Sequence, residues 1–129
     1  MPPDPATLWS FLPWGYLLTV ALELPVLLVG LSPRHSVRDR ILAGFALTAF
    51  TYPIVVCVLP PLVWGPRGRL WYLLVAETFA PVAECLLFRA AHGPAPSQWI
   101  AVRDNAAIVL ANLLSFGTGL FVYSWVGAA

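Results

Sequence analysis

Three glutamates stand within long apolar stretches of the sequence, where an ionised side chain is costly. Glu23 lies in the first stretch, and Glu77 and Glu84 lie two helical turns apart in the third. That spacing predicts that the last two carboxyl groups share one helix face. A charged residue at the centre of a membrane helix costs about 2.5–3.5 kcal/mol on insertion scales. We therefore expect the three groups to face one another or water, and not lipid.

Other polar side chains follow the same pattern. Asn105 and Asn112 are also two turns apart and are predicted to share a face of a fourth helix, while Tyr52 lies in the second stretch. A rise of about 1.5 Å per residue, counted from the helix ends, predicts two polar layers. One layer contains Glu23, Glu84 and Asn105. The other contains Glu77, Asn112 and Tyr52. The pattern predicts one polar column within the bundle, opening more easily toward the cytoplasm.

Such a column could bind or pass a proton or a hard cation. Burial disfavours the charged form of a carboxyl group, which would let a glutamate exchange protons near neutral pH. Hard cations also prefer oxygen ligands. The alternative is a satisfied core without chemistry, in which Glu84 pairs with Arg103 or Arg89 and Glu77 bonds to Asn112. Arg103 is thus a possible charge partner.

Several other kinds of chemistry lack their residues. The sequence has no cysteine pair, methionine cluster or helical histidine pair, so no metal site of the zinc or copper type is predicted. His35 and His92 fall between the apolar stretches and are interpreted as loop residues. No phosphate-binding glycine loop or Ser–His–Asp set is present. We predict no cofactor, and an enzyme is the least favoured class.

The elements that must position the carboxylates are membrane helices. The chain has 129 residues, of which 60% are hydrophobic and 10% charged, whereas soluble domains average about 45–50% apolar and about 25% charged residues. Four stretches have the roughly 20 apolar residues that a transmembrane helix needs. They are residues 8–30, 40–63, 69–90 and 99–126. The predicted fold is an all-α bundle of four transmembrane helices in a single domain.

Arginine counts predict the orientation of this bundle. The first and third connections, with the adjoining helix ends, hold five arginines, the second holds two and the termini hold none. Cytoplasmic loops are richer in arginine and lysine, so both termini are predicted on the non-cytoplasmic side of the cell membrane. An aromatic belt near that side agrees. Its members are Trp9, Trp14, Trp64, Trp71, Tyr72, Tyr123 and Trp125.

Partners other than the lipid bilayer are also expected. Four helices enclose a narrow interior, so we predict a homo-oligomer or a larger membrane complex. The scattered arginines exclude a nucleic-acid surface, which needs clustered basic residues. A stripe of small residues on the fourth helix, Ala107, Ala111, Ser115 and Gly119, predicts close helix packing. The second functional hypothesis is an accessory or assembly subunit, whose glutamates and asparagines would dock neighbouring helices, with at least one carboxylate pointing outward at bundle depth.

Overall fold

The computed structural model describes the backbone of residues 5–128 and the side chains of residues 6, 10 and 12–121. The side chains of Trp9, Tyr123 and Trp125, counted in the aromatic belt, lie outside the described residues. Every regular element in the described range is helical. The helices are α1 (Pro5–Gly30), α2 (Val37–Pro53), a π-helical segment (Ile54–Val58), α3 (Leu59–Val63), α4 (Gly68–His92) and α5 (Gln98–Ala128).

The prediction of four helices long and apolar enough to cross a membrane is confirmed. The second of them combines α2, the π-helical segment and α3 into one continuous rod. Large apolar side chains remain exposed along all four rods, as expected of surfaces that meet lipid. The four candidate membrane spans are Leu12–Gly30, Val37–Val63, Gly68–His92 and Gln98–Phe121.

Short connections make consecutive rods antiparallel. Helix α1 packs against α2 and α5, and α4 packs against the same two, so α1 and α4 lie diagonally opposite. We call the end that carries residues 31–36 and 93–97 the two-loop end. The opposite end, where α1 begins and α5 ends, is the terminal end.

An apolar core fills the half of the bundle nearer the two-loop end. Its largest members are Leu27, Leu31, Leu47, Phe88 and Ile108, all buried. Small residues let the helices approach closely here, because a Cβ atom added to Gly30 would lie 2.9 Å from the Cβ of Ala107. The inner part of the small-residue stripe therefore packs against α1 of the same chain.

The π-helical segment of the second rod lies between Pro53 and Pro60. The N–H of Leu59 bonds to the carbonyl of Ile54, five residues earlier. The next bond of this type would run from residue 60 to Val55, but Pro60 has no N–H. The Tyr72 hydroxyl donates to the Val55 carbonyl at 2.7 Å instead. A side chain of α4 thus satisfies a backbone group that proline leaves unbonded.

Candidate functional site

Glu23 is a buried carboxyl group near the middle of α1, with 3% of its surface exposed. Its two oxygens accept hydrogen bonds from different helices. The Thr48 hydroxyl on α2 lies 3.0 Å from Oε2, and the Ser115 hydroxyl on α5 lies 2.7 Å from Oε1. Glu23 therefore joins three helices through a fully bonded carboxyl group.

Glu84 forms a matching arrangement on α4 and is 2% exposed. The Thr51 hydroxyl on α2 lies 3.1 Å from its Oε1, and the side-chain amide of Asn112 on α5 donates to Oε2. The same amide nitrogen also donates to the Ile108 carbonyl at 2.9 Å. Both amide hydrogens of Asn112 are used, which fixes this side chain against Glu84.

Two of these hydroxyl groups have a second acceptor within reach. Thr51 lies 3.0 Å from the Leu47 carbonyl, and Ser115 lies 3.0 Å from the Asn112 carbonyl. A hydroxyl group has one hydrogen to donate, so it bonds either to the carboxylate or to the carbonyl. When the carboxyl group carries a proton, it can donate to the hydroxyl, which then donates to the carbonyl. Each carboxyl group is thus fully bonded in both charge states.

A cavity of about 410 Å³ adjoins this pair, on the side of the terminal end. Residues from all four spans line it, and most of its wall is apolar. Glu23, Tyr52, Glu77, Asn112 and Ser115 contribute its polar atoms, together with Thr19, Thr48 and Thr51. The structure therefore brings four of the six predicted site residues to one cavity, namely Glu23, Glu77, Asn112 and Tyr52, and places Glu84 directly behind it.

Comparison of the sequence with protein-family models, curated proteins and solved structures gives no match.

The predicted layers differ from the observed ones. Asn112 was expected in the layer of Glu77 but lies level with Glu84. The prediction assumed that all helices begin at one plane, whereas the fourth rod extends further toward the two-loop end. Its Asp104 is level with Ser32, which already follows α1. The cavity also lies toward the terminal end. The polar column was predicted to open at the two-loop end, but the apolar core fills that half of the bundle.

Asn105 does not join the column. It is exposed and lines a separate cleft of about 180 Å³ at the two-loop end, beside Arg34 and Arg89. Seven residues fall about 20° short of two full turns, so positions seven apart drift around a straight helix. Asn112 lies at the margin of the buried face, and this drift carries Asn105 beyond it.

Arg103 does not reach a glutamate. Its guanidinium group donates to the Gly30 carbonyl at 3.1 Å and remains exposed. Among the described residues, the ion pair between two charged side chains joins Nε of Arg34 to Oδ2 of Asp104 at 3.7 Å. Glu84 is held by neutral donors, so the predicted arginine pairing is replaced by a hydroxyl and an amide.

A second polar cluster at the two-loop end was missed by the sequence analysis. Asp104 is 3% exposed, accepts the N–H of Ser32 at 2.7 Å and lies 3.0 Å from Nε2 of His35. His35 is buried against Phe88 and His92 and is not a free loop residue. The available signal was a fourth carboxylate, Asp104, inside the predicted span 99–126.

Arg40 completes this cluster by donating hydrogen bonds to backbone carbonyls at and just beyond the end of α1. The guanidinium group of Arg40 donates to the carbonyls of Leu28, Ser32 and His35. The last carbonyls of a helix lack partners within the helix, and a cation there also favours the helix dipole. Arg40 therefore ends α1 and anchors the first connection to α2.

Proposed function

We propose that this chain is a multi-pass protein of the cell membrane that binds and releases protons through Glu23 and Glu84. The observation that carries the proposal is the pair of hydroxyl groups with two acceptors. Thr51 and Ser115 can turn between a carboxylate and a backbone carbonyl. A buried group that changes charge usually leaves a polar atom unbonded, which costs about 1–3 kcal/mol. Here either charge state keeps its hydrogen bonds.

The surroundings of the carboxyl groups favour a proton over a hard cation. A calcium-type ion needs six to eight oxygens arranged around it at about 2.3–2.6 Å. The groups that approach Glu23 and Glu84 are three hydroxyls and an amide N–H, with their hydrogens available to the carboxyl oxygens. In the described part of the chain, no three side chains of acidic, histidine or cysteine type are grouped to hold a metal ion.

The cavity supplies a route by which protons would reach the pair. Glu77 and Tyr52 line it on the way from the terminal end to Glu23. On the other side, Leu27, Leu47 and Ile108 separate the pair from the two-loop end. With the orientation predicted from the arginines, both termini lie on the non-cytoplasmic side, and protons would enter from there.

The arrangement of the carboxylates also bears on the rival hypothesis of an accessory subunit. A docking role would need a glutamate that points outward at bundle depth, but Glu23 and Glu84 are buried and Glu77 faces the cavity. One copy of the chain is sufficient to form this cavity. Association into an oligomer or a larger complex stays a prediction, which chemical cross-linking in native membranes would test.

Infrared spectroscopy of the protein in lipid nanodiscs tests the proposal directly. We expect a protonated-carboxyl stretch that changes with pH and shifts soon after transfer into D2O, because the proton exchanges. Glu23→Gln and Glu84→Gln should each remove part of this signal. Asp39→Asn, a change in the first turn of α2, is the matched control and should leave it intact.

Two results would overturn the proposal. One is a carboxyl spectrum that does not respond to pH in wild type. The other is a pH response that both glutamine variants retain. Either result would favour the accessory-subunit hypothesis, under which the glutamates hold fixed bonds.

A further inference from the structure

We propose that the cavity beside the carboxyl pair binds a monovalent organic cation with an apolar body, of the quaternary ammonium type. Its positive centre would lie against Glu77, and its apolar groups would fill the cavity. This inference rests on the proposed function in one respect. Glu23 and Glu84 are occupied by their own donors, which leaves Glu77 as the acid available to a ligand.

Of the three glutamates, Glu77 is the one whose carboxyl group accepts no hydrogen bond from the described residues. Glu23 and Glu84 each accept two hydrogen bonds. Within residues 12–121, no side-chain or backbone donor bonds to the carboxyl group of Glu77, which is half-buried and borders the cavity. A half-buried carboxylate inside a membrane protein is expensive unless a cation or a proton accompanies it.

The cavity walls indicate what kind of cation fits. Leu18, Leu22, Val55, Ala80 and Phe116 form much of the lining, so most of the surface is apolar. The volume of about 410 Å³ falls within the roughly 300–1,000 Å³ of small-molecule pockets. Most of the polar side chains at the cavity are already hydrogen-bonded within the protein, which leaves few partners for a hydrated metal ion. A cation that carries its own apolar groups would bury them here.

The aromatic residues favour a quaternary nitrogen over a primary amine. A primary ammonium has three N–H donors and needs an acceptor for each. A quaternary centre has none, and its charge is stabilised by a carboxylate and by aromatic faces. Tyr52 and Phe116 supply aromatic rings to the same cavity that Glu77 borders. One free carboxylate matches one positive charge.

Equilibrium dialysis with benzyltrimethylammonium, on the full chain in nanodiscs at pH 8, tests the inference. We expect saturable binding to wild type and at least tenfold weaker binding to Glu77→Gln. Neopentylbenzene replaces the nitrogen by carbon and is uncharged. Its retention should be the same for both proteins, because it does not use the carboxylate.

A second pair of variants tests the position of the ligand without altering charge. Gly119 lines the cavity, and a Cβ atom built on it meets nothing within 4 Å. Gly119→Leu should therefore fill part of the cavity and abolish binding. Gly117→Leu is the control on the same helix, because Gly117 also has open space but does not line the cavity.

The outcomes separate this inference from the proton proposal. Absence of saturable binding to wild type would overturn it, as would equal affinity in wild type and Glu77→Gln. Equal loss of binding in both leucine variants would also contradict the assigned cavity. Infrared titration of the same samples reports on Glu23 and Glu84 independently. A retained carboxyl titration without cation binding would reject the inference and leave the proton proposal standing.

Discussion

The backbone N–H of Ser32 donates a 2.7 Å hydrogen bond to Oδ1 of Asp104, and this bond helps to set the height of α5 in the bundle. It joins the first residues after α1 to the second turn of α5. Asn112, two turns further along, then lies level with Glu84. A contact at the two-loop end therefore contributes to which side chain reaches the carboxyl pair.

Replacement of Asp104 should destabilise the whole bundle. In Asp104→Ala the buried N–H of Ser32 loses its acceptor, and Arg34 and His35 lose the carboxylate oxygen that lies 3.7 and 3.0 Å from them. A buried donor left without its acceptor costs about 1–3 kcal/mol, and more where the lost bond involved a charged group. We expect a loss of about 3 kcal/mol in the free energy of unfolding, measured by denaturant titration in micelles.

The asparagine variant separates the hydrogen bond from the charge. Asp104→Asn keeps an oxygen for Ser32 and should lose roughly half as much stability as Asp104→Ala. Asp39→Ala removes a carboxylate from the first turn of α2, where a helix-dipole contact is worth about 0.3–1 kcal/mol. A loss in Asp104→Ala no larger than in this control would contradict the role assigned to Asp104.

The four helices could be predicted from the sequence because membrane spanning depends on the length and hydropathy of each segment alone. The axial position of one helix relative to another cannot be predicted from these two properties. It depends on single contacts such as Ser32 with Asp104, which connect residues 72 positions apart. The predicted layers were wrong at Asn112 for this reason. The π-helical segment was not predicted either, because the apolar residues 54–58 read as an ordinary part of the second helix.

The convergence of Glu23 and Glu77 on one cavity follows from a rule that the sequence does carry. Charged groups inside a membrane avoid lipid, so they face the interior. The rule does not say which neutral side chains form hydrogen bonds with these carboxyl groups. Thr51 and Ser115 could not be assigned to particular carboxyl groups before the helix rotations were known, and Asn105 was misplaced by the drift of positions seven apart.

Two glycines at helix contacts should respond differently to alanine. The Cβ of Gly30→Ala would lie 2.9 Å from the Cβ of Ala107, which has no freedom to move aside. Overpacking of this kind costs about 1–3 kcal/mol. The Cβ of Gly44→Ala would lie 2.7 Å from a terminal methyl group of Leu24, which can rotate away. We therefore expect the greater loss of thermal stability in Gly30→Ala, despite its longer distance.

A compensating change makes this comparison specific. Gly30→Ala combined with Ala107→Gly should regain most of the lost stability, because the clashing methyl group is gone. A Cβ atom at Gly117 meets nothing within 4 Å. Gly117→Ala should therefore raise the free energy of unfolding by up to about 1 kcal/mol, because alanine has the higher helix propensity. No recovery in the double variant would refute the proposed contact between α1 and α5.

The hydroxyl groups beside the carboxyl pair should leave separate infrared signatures. Thr51→Val removes a hydroxyl within 3.1 Å of Glu84, and Ser115→Ala removes one within 2.7 Å of Glu23. In each case the affected carboxyl stretch should move to higher wavenumber, since it loses a hydrogen bond. Thr78→Val is the control, because the Thr78 hydroxyl bonds to the Leu74 carbonyl of its own helix. A shift of equal size in the control would argue against both assignments.

The bond from Tyr72 to the Val55 carbonyl should depend on Pro60. Tyr72→Phe leaves that carbonyl without its hydroxyl donor, and a typical intramolecular hydrogen bond contributes about 0.5–1.5 kcal/mol. Pro60→Ala restores the backbone N–H of residue 60, which can then bond to the Val55 carbonyl within the rod. In that background Tyr72→Phe should cost less, so a double-mutant cycle should give a coupling energy of about 0.5 kcal/mol or more.

Tyr16→Phe removes a similar bond to the Phe45 carbonyl and should cost the same with or without Pro60. Equal coupling of Pro60 to both tyrosines would show that the proline acts through general stability and not through the Val55 carbonyl.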